Sequence, residues 1–94
     1  MLYFEWNQEK NELLKLEREL GFENVVAAFD SGKVLALYAH PNQRRYPGQQ
    51  MLVVEINEYA YLVPFVRDGD KIFLKTIFPN REATEKYIIK RKRK

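Results

Sequence analysis

Tight-turn sequences in the middle of the chain constrain the fold more than any other feature. Four segments rich in aromatic and β-branched side chains, the composition typical of strands, lie at residues 33–40, 50–56, 59–67 and 71–78. Asn57-Glu58 joins the second segment to the third, and Asp68-Gly69 joins the third to the fourth. Both joints are short enough for a β-hairpin. Consecutive strands connected in this way predict a four-stranded antiparallel meander.

Helical patterns flank these strands on both sides. Leucines recur at helical spacing in residues 8–20, and Asn7 before them is a good N-cap. A second helix is predicted over residues 22–30 and a third over residues 81–91, which Asn80 can cap. The predicted fold class is therefore α+β, with two N-terminal helices, a four-stranded antiparallel meander sheet and a C-terminal helix.

Length and composition limit the function classes. Ninety-four residues are expected to form one domain over residues 1–94. The absence of cysteine excludes disulfides, thiol nucleophiles and zinc–thiolate sites. The sequence has no glycine-rich phosphate loop and no carboxylate cluster, so neither a metal nor a cofactor is expected. No apolar run reaches the ~20 residues that span a bilayer, which predicts a cytoplasmic protein without a membrane partner.

The hairpin turns also predict how the sheet divides into two faces. If both turns are two-residue loops, Ile56 pairs with Tyr59, Arg67 pairs with Asp70, and cross-strand partners share a face. One face is then almost wholly apolar and is expected to receive the helices. The opposite face has an apolar floor with few polar side chains, which makes it the expected place for a site. These polar side chains are Glu55, Lys71 and Lys75.

Charge is segregated along the chain, and this pattern points to a polyanionic partner. Residues 1–30 carry a net charge of −4, residues 31–85 of +1 and residues 86–94 of +6. A positive end on a small domain attracts polyanions, of which nucleic acid is the commonest. The acidic front end suggests that the partner contacts only one side of the molecule.

Individual side chains then supply candidates for a site that acts on RNA. His40 is the only histidine, and Arg44-Arg45 lies in a loop, where two guanidiniums suit a phosphate. Scattered arginine, lysine, tyrosine and one histidine suit RNA cleavage, because the substrate supplies its own 2′-hydroxyl nucleophile. The catalytic candidates are His40, Lys75, Arg81 and Tyr87. The RNA-binding candidates are Arg44, Arg45, Lys71 and Lys86.

Two long segments are similar to a known family. FEWNQEKNELLKLERELGFENVVAAF resembles the opening of the BrnT toxins, where a Phe-Glu-Trp lead is followed by a Lys-Asn helix and a second helix begins near a Phe-Glu pair. DGDKIFLKTIFPNREATEKY resembles the end of the same family, with an acidic-Gly hairpin, a strand and an Arg-x-Ala-Thr helix start. Together the two segments cover about half of the chain, and the chain length also matches.

The resemblance implies a RelE-like fold and a ribonuclease toxin of a bacterial type II toxin–antitoxin pair. It also implies a partner, an antitoxin of the ribbon-helix-helix type that neutralises the toxin. By position, Arg81 matches the arginine of the family's Ala-Arg element before the last helix. His40 lies near the mid-chain His-Ser element, and Arg44 or Arg45 lies near the following Glu-x-Arg.

The chain departs from the family pattern at several of these positions, which keeps other hypotheses open. Pro41 stands where serine is usual, Gln43 lies near the place of the glutamate, and Pro79-Asn80 replaces Ser-Ala. The second hypothesis is therefore a non-catalytic RNA- or protein-binding module of the same fold. A third is a structural subunit whose apolar sheet floor is an interface.

Overall fold

The computed structural model describes residues 1–92, and the last two residues of the basic run, Arg93 and Lys94, lie outside this range. The helices are α1 (Gln8–Arg18), α2 (Phe22–Asp30) and a C-terminal helix made of α3 (Arg81–Thr84), a π-helical turn (Glu85–Ile89) and α4 (Lys90–Lys92). The strands are β1 (Tyr3–Trp6), β2 (Val34–Ala39), β3 (Gln49–Ile56), β4 (Tyr59–Asp68), β5 (Lys71–Leu74) and β6 (Phe78–Pro79). None of the helices described is long and apolar enough to cross a membrane.

The two predicted asparagine caps are confirmed. Asn7 Oδ1 accepts a hydrogen bond from the Lys10 N–H at 3.0 Å, and Asn80 Oδ1 accepts one from the Ala83 N–H at 2.7 Å. Each bond satisfies a donor that the first helical turn leaves without an intrahelical partner. Helix α1 ends before the predicted residue 20, because Glu19 takes a left-handed conformation with φ of 59°.

The predicted sheet architecture is wrong. The sheet is mixed and has six strands in the order β1-β5-β4-β3-β2, with β6 beside β4. Strand β1, which precedes both N-terminal helices, pairs in parallel with β5, so the chain does not begin with two helices. The predicted last strand is also broken, because residues 75–77 leave the ladder between β5 and β6. The fold is α+β, but it is not the four-stranded antiparallel meander that the strand segments and hairpin turns predicted.

The first hairpin turn is confirmed and the second is shifted. Ile56 pairs with Tyr59, and Asn57 and Glu58 both have positive φ, as a type I′ turn requires. In the next hairpin Asp68 pairs with Lys71, so the loop is Gly69-Asp70 rather than Asp68-Gly69. The register differs from the predicted one by two residues. Because side chains alternate with a period of two, the assignment of the faces of β4 and β5 is unchanged.

The back face of the sheet, which carries Leu52, Val54, Val63, Phe65 and Leu74, packs against α1 and α2. The helices contribute fully buried side chains to this core: Leu14, Phe22 and Val25. Burying one such side chain stabilises the fold by roughly 1.5–3 kcal/mol relative to leaving it exposed. The apolar face therefore receives the two N-terminal helices, as predicted, but not the C-terminal helix, which packs on the opposite face.

A buried asparagine joins the two N-terminal helices. Asn11 Oδ1 accepts the Phe22 N–H at 2.7 Å, and Asn11 Nδ2 donates to both carboxylate oxygens of Glu23 at 3.0 and 3.1 Å. Gly21 lies between the two helices. A side chain at this position would clash, because a Cβ on Gly21 would stand 2.5 Å from Asn11 Oδ1. The hydrogen bonds from Asn11, with a smaller contribution from Lys15, lower the pKa of the Glu23 carboxyl.

The front face of the sheet, which carries Met51, Val53, Leu62 and Pro64, is only partly covered. The C-terminal helix lies over one end of it, where Ala83 and Ile88 join the buried cluster of Met51, Val53, Ala60 and Leu62. Side-chain direction changes after β5, because Ile77 enters the back-face core whereas Phe78 packs on the front face. An unbroken strand over residues 71–78 would place Phe78 on the back face and Ile77 on the front face, so the break after β5 reverses both.

Candidate functional site

A groove runs along the uncovered part of the front face and consists of two adjoining pockets of about 340 Å³ each. The His40 pocket is lined by His40, Tyr46, Gln49, Pro64, Lys75, Thr76 and Phe78. The Tyr87 pocket is lined by Tyr38, Val53, Leu62, Asn80, Glu82, Ala83, Lys86 and Tyr87. The pockets adjoin because Leu62 of one pairs with Phe78 of the other across neighbouring strands.

Strand register explains why distant residues meet in the His40 pocket. The His40 N–H donates to the Gln49 carbonyl at 3.0 Å, and Gln49 pairs with Val66. The Lys75 N–H donates to the Pro64 carbonyl at 2.8 Å, just where the chain leaves β5. Residues 40, 49, 64 and 75 are thus held by backbone hydrogen bonds of one sheet. The pocket walls are fixed by the sheet rather than by a free loop.

The loop between β2 and β3 is held in place by Gln43. Gln43 Nε2 donates to the carbonyls of His40 and Gln49 at 2.8 and 3.0 Å, and Gln43 Oε1 accepts the Gly48 N–H at 3.0 Å. One side chain therefore closes the loop across both of its ends. The residue near the place of the family's glutamate has a structural role here, and it keeps His40 and Tyr46 in position.

His40 is fixed in both position and hydrogen-bonding pattern. Its ring lies 4.5 Å from the Tyr46 ring, centroid to centroid, and its Nδ1 accepts the Asn42 N–H at 3.0 Å. A neutral imidazole that accepts at Nδ1 carries its proton on Nε2. His40 in this conformation therefore offers a hydrogen-bond donor, not an acceptor, at Nε2.

Two cations near the His40 pocket each lie against an aromatic ring. The Arg45 guanidinium carbon lies 5.6 Å from the centroid of the Tyr46 ring, and Lys75 Nζ lies 5.0 Å from the centroid of the Phe73 ring. Both distances are within the range of cation–π attraction. Arg44 is exposed on the same loop as Arg45. The ring contacts restrict where the Arg45 and Lys75 side chains lie, and both residues stay exposed to solvent.

A π-helical turn forms one wall of the Tyr87 pocket. This turn, Glu85–Ile89, contains both Lys86 and Tyr87, and Lys86 Nζ lies 5.2 Å from the centroid of the Tyr87 ring. Short π-helical segments are rare in proteins, and many of those that occur lie at functional sites. Tyr87 is half-buried: it packs against the front-face cluster and also lines the pocket.

Four of the predicted site residues line neither pocket: Arg44 and Arg45 in the loop between β2 and β3, Lys71 and Arg81. Arg81 is exposed at the first position of α3 and lines neither pocket. Lys71 is exposed at the start of β5, where it pairs with Asp68 of β4 and Tyr3 of β1. Lys71 shares the front face with Phe73, one step beyond the groove. Of the eight predicted residues, four line the groove, namely His40, Lys75, Lys86 and Tyr87.

Glu55, a further candidate on the front face, serves the packing of the C-terminal helix. Its side chain is 8% exposed, and its Oε1 accepts a hydrogen bond from Arg91 Nη2 at 3.0 Å. The ion pair attaches the last helical residues to β3. Glu55 lies under the helix and lines neither pocket.

The structure adds polar groove residues that were not among the predicted site residues, one of them acidic: Tyr38, Tyr46, Gln49, Thr76, Asn80 and Glu82. Tyr38 had a usable signal, because it lies two residues before His40 in a strand and therefore shares its face. Thr76 had none, since it lies in the break between β5 and β6. Within residues 1–92, no group of three or more His, Asp or Glu side chains is arranged to hold a metal ion.

Comparison with known proteins leaves the groove as the basis for a function. No protein-family model matches the chain, and no curated protein or solved structure matches it either. The resemblance to the BrnT toxins therefore stays a prediction, and the geometry of the groove carries the argument that follows.

Proposed function

We propose that this chain is an endoribonuclease that binds single-stranded RNA in the front-face groove. One observation carries the proposal: His40 and Lys75 line the same pocket, and Tyr87 and Lys86 line the adjoining one. These four are sequence candidates for RNA chemistry, and they come from three different parts of the chain. Their meeting on one face supports a common substrate.

The groove has the chemical character of a site for single-stranded RNA. Tyr38, Tyr46 and Tyr87 offer aromatic rings on which bases can stack, and such stacking contributes about 1–3 kcal/mol per base. Lys75 and Lys86 are exposed cations at the groove, where they attract the phosphate backbone. The acidic N-terminal segment, residues 1–30, contributes α1 and α2 to the back face, away from this surface. The charge segregation of the sequence then fits a partner that contacts the front face alone.

The proposed reaction is transfer of the phosphoryl group to the 2′-oxygen of the same nucleotide. The bond from the 2′-oxygen to phosphorus forms, the bond from phosphorus to the 5′-oxygen breaks, and the products are a 2′,3′-cyclic phosphate and a 5′-hydroxyl. The Lys75 ammonium stabilises the charge that develops on the phosphate oxygens. His40 donates a hydrogen bond from Nε2–H to the departing 5′-oxygen, solvent water supplies the proton of the new 5′-hydroxyl, and water takes up the proton of the 2′-hydroxyl.

The cellular role that the family resemblance implies belongs to the same proposal. The chain would be a cytoplasmic toxin that arrests translation by cleaving RNA. A small antitoxin of the ribbon-helix-helix type would bind it and prevent the cleavage. Expression of the chain alone in bacteria should then stop growth and fragment cellular RNA.

Cleavage of a labelled RNA by the purified chain tests the activity directly. We expect cleavage of a single-stranded oligoribonucleotide in the presence of EDTA, with a 2′,3′-cyclic phosphate end on the product. Lys75→Ala should reduce the rate by about 10²–10³-fold, the typical loss for one transition-state stabilising group. Arg18→Ala is the matched control, since it removes one exposed cation from the end of α1, which packs on the back face.

Three outcomes would contradict the assignment. Cleavage that persists on an oligomer lacking the 2′-hydroxyl at the cut site would exclude the proposed nucleophile. A larger loss for Arg81→Ala than for Lys75→Ala would move the site to the start of α3, as the family resemblance implies. Growth arrest that survives Lys75→Ala would also show that the pocket is not the cause.

Binding of RNA without cleavage is the second candidate function, and one hydrogen bond favours it. Nδ1 of His40 accepts the Asn42 N–H, so its lone pair is occupied by a structural hydrogen bond and does not serve as a general base in this conformation. A chain that binds labelled RNA, loses affinity on Lys75→Ala and leaves the RNA intact would establish this function instead.

A further inference from the structure

The three strand edges of the sheet differ in how they are protected against pairing with another strand. Strand β1 is four residues long and carries Glu5, and β6 has two residues, one of them Pro79. Short strands, charges and prolines are the usual means of blocking an exposed edge. Strand β2 has six residues, VLALYA, with no charge, no proline and no glycine. It is the edge that lacks these protections.

The outward hydrogen-bonding groups of β2 follow from its register. The His40 N–H donates to the Gln49 carbonyl, and antiparallel ladders alternate between bonded and non-bonded pairs. Tyr38, which pairs with Met51, therefore bonds inward to β3. The N–H and C=O groups of Leu37 and Ala39 point to the free edge. In residues 1–92, β2 has β3 as its one neighbouring strand.

Apolar side chains stand exposed on both sides of this edge. Leu37 is 58% exposed on the back face, and Tyr38 is 42% exposed on the front face. A strand that is added to the edge would cover both residues while it satisfies the backbone groups between them. The register irregularity between Val34 and Ala36 leaves residues 36–40 as the regular part of the edge.

We propose that β2 pairs with β2 of a second copy of this chain and forms a two-fold symmetric dimer. An antiparallel strand pair is its own two-fold partner, so one edge suffices for both subunits. The absence of charge in residues 34–39 means that no like charges oppose each other along the paired strands. Tyr38 lies at the centre of the regular segment 36–40, which places it on the symmetry axis.

This register specifies the contacts. Tyr38 faces Tyr38 of the partner subunit as a non-hydrogen-bonded pair, and Leu37 exchanges two hydrogen bonds with the partner's Ala39. The symmetric pair doubles these to four. The two sheets join into one, and both front faces lie on the same side of it. Because Tyr38 lines the Tyr87 pocket, the two grooves meet at the axis and form one longer surface.

Single cysteines test the register, since the natural chain has none. In a non-hydrogen-bonded pair the Cα atoms are about 4.5 Å apart, which suits a disulfide. We expect Tyr38→Cys to give a disulfide-linked dimer under mild oxidation. In the matched control, Leu37→Cys, the two cysteines would stand about 8 Å apart, since each is offset by two residues, and this exceeds the ~7 Å limit for a disulfide. Random collisions would favour the control, because Leu37 is the more exposed residue.

Sedimentation velocity tests the dimer without a cross-link. The interface is small, so we expect dissociation constants on the order of 10–100 μM and a species of twice 11.3 kDa at higher concentration. Ala39→Pro removes an outward N–H that β3 does not use, so it should weaken the dimer at least tenfold and leave the monomer folded. Ala39→Ser, which keeps the N–H, should dimerise like the natural chain.

Three outcomes would overturn the proposal. One is a natural chain that sediments as an 11.3 kDa species at 500 μM, a concentration roughly ten times the middle of the expected range of dissociation constants. Another is equal rates of disulfide formation for Tyr38→Cys and Leu37→Cys. The third is a dimer that survives Ala39→Pro, which would place the interface elsewhere. None of these measurements depends on RNA cleavage, so the dimer and the nuclease activity can fail separately.

Discussion

The two faces of the sheet show a division between stability and a site. The back face is covered by α1 and α2, and its core includes side chains with no exposure, such as Phe22 and Val63. The front face is covered at one end by the C-terminal helix, and the rest remains open as the groove. The same strands supply both faces, with alternate residues pointing in opposite directions.

The difference shows how a small chain can leave apolar surface uncovered. The back-face core fixes the positions of the strands, so the front face does not need complete packing to hold its shape. Backbone hydrogen bonds of the sheet keep His40 and Lys75 in position, so these two residues do not have to be buried to be held there. If this division is right, variants of the back face should lower stability, and variants of the groove should lower RNA binding or cleavage.

The largest expected loss of stability comes from the back face. Phe22→Ala removes a fully buried ring that stacks on Trp6, and we expect the free energy of unfolding to fall by about 3–5 kcal/mol. Urea denaturation followed by circular dichroism measures it. Leu16→Ala, at a position that is 82% exposed on α1, should change the same quantity by less than about 0.5 kcal/mol. A greater loss from Phe78→Ala, on the groove floor, would reverse the comparison.

A smaller loss is expected at the covered end of the front face. Arg91→Ala leaves the Glu55 carboxylate, 8% exposed, without its hydrogen bond from the guanidinium. Because Arg91 itself is half exposed and screened by water, we expect a loss of about 1–2 kcal/mol. Lys90→Ala, at the exposed neighbouring position, is the control. Adding Glu55→Gln to Arg91→Ala should recover part of the loss in a double-mutant cycle, and no recovery would mean that the pair does not hold the helix.

The smallest expected effect is a change of stability with pH, and it comes from Glu23 of α2, on the back-face side of the sheet. Hydrogen bonds lower the pKa of Glu23 in the folded state, so its contribution to stability is present above the pKa of the unfolded chain. That contribution is lost as the pH falls below about 4.5 and through the lower folded value. Glu23→Gln should therefore destabilise the chain at pH 6 and do so less at pH 3. A difference that stays constant with pH would show that the carboxylate charge has no part in it.

Local signals predicted the elements well and their assembly less well. Asn7 and Asn80 mark the helix starts because a cap is decided by a few neighbouring atoms, and Asn57-Glu58 marks its turn for the same reason. The partner of β1 depends instead on β5, far along the chain, and four residues have too little pattern to show it. The sheet was therefore predicted with two strands too few and without its parallel pair.

The site was predictable as a set of residue types but not as a constellation. His40 and Lys75 stood out as chemistry-bearing residues on strand ends, yet only the register shows that they line one pocket. The role of Glu55 was missed because its partner, Arg91, lies 36 residues away. Arg81 was chosen as a cation at the start of the last helix and by its match to a family motif, and sequence position alone could not show that it lines neither pocket.

The parallel pairing of β1 with β5 has a consequence for synthesis of the chain. Tyr3 pairs with Lys71 and Trp6 with Leu74, so the first strand reaches the ribosome exit long before its partner exists. Contacts so distant in sequence also slow folding, because a long loop must close before they form. Until β5 is made, β1 lacks its partner strand, and the ring contacts open to Phe4 and Trp6 are those with Phe29 and Phe22 of α2.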